Sequence, residues 1–268
     1  MADIREINGQ YFDFSNSGPG FNQSFLQTAM ELKELGIKNY YFMLRIDNPR
    51  IADIDPYKRN ITGQEVAALM QEMRSNIWFY TRVVARIRSD AGIVRYGLHR
   101  GLAAMMWCFE RSYDNCLTEP RQTWKTSGTL AGPLAWAFQL SQNLKMHFFG
   151  KESENTKRNL GTLRDDVELL PEWLQFTRYF DTDGKIKKTQ RSTEILKNKQ
   201  LNNEVVIHAE ARSLSRAQGM GRGASAAIIY FDEIEHTPFF DEILSNSAPA
   251  FKTAHDNAAA AGLPTCRL

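Results

Sequence analysis

The sequence predicts an α/β protein, with a mainly parallel sheet flanked by helices over residues 96–268 and a mostly helical region over 1–95 packed on it. Three features carry that prediction. Apolar runs such as 146–149 and 226–231 alternate with amphipathic stretches long enough for helices, the pattern of strands joined by crossovers. Capping and breaking residues stand at the ends of those stretches. No internal repeat and no low-complexity segment competes with this organisation.

Taken in order, Phe25, Leu26, Ala29, Met30 and Leu32 share a helical face over 22–35, and Gly36 stands where a C-cap glycine belongs. Residues 39–46 (NYYFMLRI) read as a buried strand ended by the turn Asp47-Asn48-Pro49. Thr62-Gly63-Gln64-Glu65 is a capping box, and the helix it opens is predicted to run to about Arg88. A second helix spans 98–111 through Leu102, Met105, Met106 and Phe109. Residues 116–118 then read as a short strand and 126–143 as a long helix kinked by Pro133. Residues 146–149 form a strand and 153–170 a helix stopped by Pro171. A strand pair over 191–196 and 204–211 surrounds the polar turn KNKQLNN. The strongly apolar strand 226–231 and a helix over 240–261 close the pattern.

Composition excludes several classes. Lys plus Arg total 33 against 31 Asp plus Glu, so neither an acidic disordered chain nor a protein that binds nucleic acid by bulk charge fits. No apolar stretch reaches the roughly 18–20 residues of a membrane span, 130–140 being the longest candidate. The N-terminus lacks the basic-then-apolar layout of a signal peptide. Three scattered cysteines make neither a disulfide framework nor a zinc site, and five histidines show no metal-ligand spacing. These features predict a cytosolic protein. Asn60-Ile61-Thr62 reads as a helix cap rather than a glycosylation site, and the basic run 185–191 as a solvated loop or a DNA contact.

Two places carry chemistry. The turn 119–126 ends in Lys125-Thr126 at a predicted helix start, where free N–H groups, the lysine and the hydroxyl meet phosphate and Mg²⁺ in phosphate-binding loops. Glu119 and Trp124 stand where that pattern has glycine, so for the pair taken alone plain helix capping outweighs the phosphate reading. The run Ala226 to Glu233 is a buried strand delivering Asp232 and Glu233 to its carboxyl end, where ligands of open α/β sheets sit. An aspartate there holds Mg²⁺, and the next glutamate orients or deprotonates an attacking water. The alternative is a solvated acidic turn. About 107 residues separate Lys125 from Asp232, a spacing that suits a P-loop ATPase with extra strands.

At these residues a family resemblance becomes specific. Arg121-Gln122-Thr123-Trp124-Lys125-Thr126 resembles the deviant Walker A motif of the large terminase subunit of tailed bacteriophages. Val167 to Gln175 resembles the family's ELLP-aromatic-LQ stretch, Gly221-Arg222-Gly223 its Arg-Gly stretch, and Ile228 to Glu233 its Walker B strand. All fall in the family's order, and the similarity extends from about Asn76 to the end. Trp124 departs from the family's glycine. His99 and Arg100 stand where an adenine contact would be sought, with a structural role as the alternative. The family continues past this point into a coupling motif and an RNase H-like nuclease, so the chain is expected to be an isolated ATPase domain or a truncated one.

The resemblance implies a P-loop NTPase core whose cofactors are ATP and Mg²⁺. It implies ATP binding by Arg121, Gln122, Thr123, Trp124, Lys125 and Thr126, metal binding by Thr126 and Asp232, and catalysis by Glu233, Arg121 and Arg222. It also implies a motor that packages double-stranded DNA in the host cytoplasm, docked transiently on the procapsid as a homo-oligomeric ring. The implied partners are a portal protein and a small terminase subunit. A helicase-like ATPase and a non-hydrolysing structural remnant are the rival expectations.

Overall fold

The computed structural model describes residues 2–120, 123–176, 194–208, 211–220, 226–262 and 265, and the backbone of 179–180, 186–187 and 266–267. The protein is mixed α/β, and it divides into two compact units built from separated stretches. One unit comprises Met1–Met106, Arg121–Trp136 and Asp166–Gln175; the other comprises Trp107–Pro120, Ala137–Asp165 and Phe176–Leu268. No helix among the described residues is long and apolar enough to cross a membrane.

In the first unit β1 (Ile4–Ile7), β2 (Gln10–Asp13) and β3 (Arg45–Ile46) make a small antiparallel sheet. Helix α1 (Gln23–Glu34) starts at Asn22, whose side chain accepts the Ser24 N–H. The strand expected over 39–46 is instead a turn over 39–41 and a 3-10 turn, Phe42–Leu44, leaving two residues of β3. Packing decides this: Met43 and Leu44 are buried, and Tyr41 meets Phe12 edge-on at 4.7 Å.

Helix α2 (Gly63–Ser75) opens with the expected capping box between Thr62 and Glu65. It stops at Ser75 rather than near Arg88, because Asn76 turns extended and caps a new start by accepting the Phe79 N–H. The buried Asn76 amide also donates to Arg45 O and Glu72 Oε1, which holds the break in place. A short α3 (Ile77–Phe79) and a π turn (Tyr80–Val84) lead into the hairpin β4 (Arg86–Ser89) and β5 (Gly92–Arg95). Helix α4 (Arg100–Glu110) follows as the periodicity predicts.

The strand predicted at 116–118 does not form; residues 113–120 are irregular. So short a strand needs a neighbour to complete its ladder, and this segment pairs with none of the described strands. Helix α5 (Lys125–Thr129), a π turn (Leu130–Leu134) and α6 (Ala135–Leu140) form one helical run in place of the predicted single helix. Pro133 lies inside the π turn, where its missing N–H and ring forbid regular α geometry.

The second unit is organised on β6 (Lys145–Gly150), followed by α7 (Ser153–Glu168) and a small antiparallel pair, β7 (Tyr179–Phe180) and β8 (Ile186–Lys187). Then come β9 (Ile195–Asn198), β10 (Asn203–Ile207), α8 (Leu214–Gly219), β11 (Ile228–Asp232), α9 (Phe240–Ala260) and β12 (Cys266–Arg267). The sheet order is β12-β11-β6-β10-β9, parallel except for the antiparallel edge strand β9. Strand alternation sorts the side chains. Phe149, Ile229 and Phe231 join Ala217, Ile243 and Phe251 in a cluster under α8 and α9. Phe148 and Tyr230 pack edge to face on the opposite side at 5.1 Å.

Two histidines meet at this sheet, His147 within β6 and His208 directly after β10. His208 stacks on Phe149 at 4.3 Å and lies 4.7 Å from His147. Burial pushes His147 down to about 4, with Lys145 adding repulsion, and pushes His208 down to about 3, with His147 adding repulsion. Below 6.5 the unfolded chain takes up protons that the folded chain refuses, so stability falls as pH drops from 6.5 toward 4. The loss from His147 is roughly 3 kcal/mol, at about 1.4 kcal/mol for each pH unit. Replacing His147 by Phe should flatten the loss seen in urea unfolding midpoints between pH 7 and 4. An unchanged slope would remove His147 as its source.

Candidate functional site

Two carboxylates end β11. Its first four residues are buried, Asp232 is half-buried and Glu233 is exposed. From β6 the chain passes through α7 and reaches β10 on one side; from β11 it passes through α9 and reaches β12 on the other. Helix α7 meets the Asp232 face of the sheet, and α9 meets the Phe231 face. Such a reversal marks the carboxyl ends of β6 and β11 as the place where open α/β sheets hold ligands. Asp232 stands there in register with Gly150.

Backbone and side chain both set this corner. Asp232 Oδ2 accepts a 2.8 Å hydrogen bond from Asn159 Nδ2 of α7. Glu233 has φ 55° and ψ 58°, left-handed backbone that costs a non-glycine residue about 1–2 kcal/mol. Its carbonyl accepts the His236 N–H at 2.9 Å and the Thr237 hydroxyl at 3.2 Å, which holds the turn against that strain. The turn swings Glu233 off the strand axis into solvent.

The second motif opens the helical run in the first unit. Trp124 is the N-cap of α5, with φ 64° and ψ 15°, and makes no side-chain cap bond. The Trp124 side chain thus caps none of the first-turn N–H groups of α5. Left-handed backbone is free for glycine and strained for tryptophan, so the motif keeps a glycine-type turn without glycine. Lys125 and Thr126 are half-buried, while the Trp124 ring is exposed.

Small residues seat this run. A Cβ on Gly128 would fall 2.5 Å from Leu102 Cδ1, and one on Gly132 would fall 2.9 Å from the Tyr96 hydroxyl. Tyr96 donates to Gly128 O at 3.0 Å, and His99 Nε2 lies 3.0 Å from Thr123 O. His99 thus braces the loop backbone. Arg100 lies beside Glu31 at 3.6 Å on the surface.

Lys125 and Thr126 belong to the first unit, and Asp232 and Glu233 to the second. Arg121, Gln122 and Arg222 lie outside the described residues, as do Gly221, Gly223 and most of the basic run 185–191. Among the described residues, no three His, Cys, Asp or Glu side chains gather into a metal-ligating group. The donors that the motifs offer, a threonine hydroxyl and an aspartate carboxylate, are the hard oxygens that Mg²⁺ prefers.

Asn159 and Gly150 were invisible as site residues in the sequence. One signal existed: Thr156 and Asn159 interrupt the apolar stripe that Leu160 and Leu163 continue on α7, and all four are buried. No known protein-family model matches the chain, and no curated protein matches it in sequence.

Proposed function

We propose that the chain is an ATP-hydrolysing motor domain of the terminase large-subunit kind, which uses Mg²⁺-dependent ATP hydrolysis to drive double-stranded DNA into a procapsid. The observation that carries it is Asp232-Glu233 at the carboxyl end of a buried parallel strand, beside the point where the chain reverses direction across the sheet. Support also comes from Lys125-Thr126 at a helix start whose N-cap side chain makes no cap bond, behind a residue in glycine-type backbone. The pairing of the two motifs in one ATP site rests on their order in the chain and on their chemistry.

In this reading Lys125 pairs with β- and γ-phosphate oxygens, and the backbone of 121–124 lines the phosphates. Thr126 and Asp232 would hold the Mg²⁺, which neutralises charge on the phosphates when bound. Glu233 takes the proton of the attacking water, and Arg121 or Arg222 faces the developing negative charge. Phosphoryl transfer depends almost wholly on such positioning. The portal protein, the small terminase subunit and neighbouring copies in a ring are the proposed partners. A non-hydrolysing remnant is the second reading, favoured by the strained, exposed Trp124 at the phosphate loop.

Calorimetric titration of the purified chain with ATP and Mg²⁺ tests the proposal. Weak binding and slow turnover are expected. Lys125→Ala should lower affinity by roughly 1.5–3 kcal/mol, the worth of a hydrogen bond to a charged group. Binding without any turnover would favour the remnant; no binding at all would sink both readings. Incubation with plasmid and Mg²⁺ or Mn²⁺ should leave the DNA intact. Cleavage abolished by Asp232→Asn would move the acidic pair from ATP to DNA chemistry.

A further inference from the structure

We infer that Asn159 is the positioning residue of Asp232: its amide holds one carboxylate oxygen so that the other is presented to the metal ion. The inference rests on the ATPase reading of Asp232. Asn159 is buried at 3% exposure, and its Nδ2 donates to Asp232 Oδ2 at 2.8 Å across 73 residues of sequence. An amide buried in an apolar helix stripe is costly unless it is hydrogen-bonded, and here the aspartate supplies the bond. A carboxylate is otherwise broad in its last torsion, and both oxygens then compete for the same ion. A bond to Oδ2 removes that freedom and leaves Oδ1 to serve as the ligand.

The neighbouring residues are shaped for this contact. Gly150 lies opposite Asp232 on β6, and a Cβ there would come within 2.7 Å of Thr156 Oγ1. Without that Cβ, the first turns of α7 close onto the sheet, and Asn159, one turn beyond Thr156, reaches β11. Thr156 itself is tied down through its hydroxyl to Glu152 O at 3.0 Å. The donor's neutrality matters too. A lysine or arginine in its place would orient Asp232 while cancelling the charge that attracts a divalent cation. An asparagine orients it and leaves the charge whole. Partners of this kind, behind a metal ligand, typically contribute about 10- to 100-fold in metal affinity.

The test uses Asn159→Leu, close in size and without a donor, and Asn159→Ser in case the leucine variant does not fold. Mn²⁺ binding to the ATP-loaded chain is followed by electron paramagnetic resonance. ATP affinity in EDTA and the unfolding midpoint without ligand are measured on the same samples. The expected result is Mn²⁺ affinity lowered by about 10- to 100-fold, with ATP affinity in EDTA and the unfolding midpoint little changed. Unchanged Mn²⁺ affinity overturns the inference. So does a loss that runs in parallel with lower stability and weaker metal-free ATP binding, because that is the signature of a merely structural asparagine. Asp232→Asn, measured alongside, separates the two levels. If it leaves Mn²⁺ binding intact, the ATPase reading of Asp232 fails and takes the inference with it. If it weakens Mn²⁺ binding while Asn159→Leu and Asn159→Ser do not, the role of Asn159 alone fails.

Discussion

Arg121→Ala should lower ATP turnover by about 10³- to 10⁵-fold, the contribution of an arginine finger to phosphoryl transfer. Arg121 precedes Lys125 by four residues, close enough to act within its own subunit. Arg222, shortly before β11, is the second candidate and is suited to a neighbouring subunit. Mixing Arg121→Ala subunits with Glu233→Gln subunits distinguishes the two arrangements. Recovery of turnover in the mixture excludes strictly cis action by Arg121. If Arg121→Ala weakens ATP binding while leaving the rate of bound ATP unchanged, the arginine braces the loop instead of facing the γ-phosphate.

Glu233→Gln should keep ATP bound and lose turnover by about 10²- to 10⁴-fold, the usual contribution of a positioned general base. The substitution keeps side-chain length and adds no new backbone strain, so folding is not the issue. Glu233→Gly is the complementary variant. It relieves the left-handed backbone at φ 55° and also removes the carboxylate. It should therefore be as inactive as Glu233→Gln, and it should not unfold more easily. Single-turnover measurements with prebound ATP check both. A Glu233→Gln chain that hydrolyses ATP like the parent would take the catalytic role away from Glu233.

Several parts of this protein were legible because their causes are local. The capping box of Thr62 and Glu65 lies within one helical turn, and it forms as read. The apolar runs that became β6 and β11, and the stripes of α7 and α9, needed only a buried face to pack on. The antiparallel partnership of β9 and β10 followed from the polar turn between them. The two patterns proposed as a site were legible for the same reason. An apolar strand ending in Asp232-Glu233 and a Lys125-Thr126 pair at a helix start are both short patterns.

What the sequence alone determined, then, is the type of the elements that carry a strong local pattern; what tertiary structure decided is which weaker segments form elements at all, where the ends fall and which residues meet. Residues 39–46 have the composition of a strand, but with Met43 and Leu44 buried the segment is turn and 3-10 turn except for its last two residues. The helix through Asn76 broke where its side-chain amide reached a distant acceptor, Arg45 O, beside the nearby Glu72 Oε1. Residues 116–118 lacked a neighbouring ladder and stayed irregular. The left-handed turns at Trp124 and Glu233 oppose the local preference of both residues, and only surrounding contacts can hold such strain. Asn159 joins Asp232 across 73 residues because Gly150 lets a helix close on a strand. Local propensity acts over about one helical turn, whereas that hydrogen bond exists only once the sheet and α7 have packed.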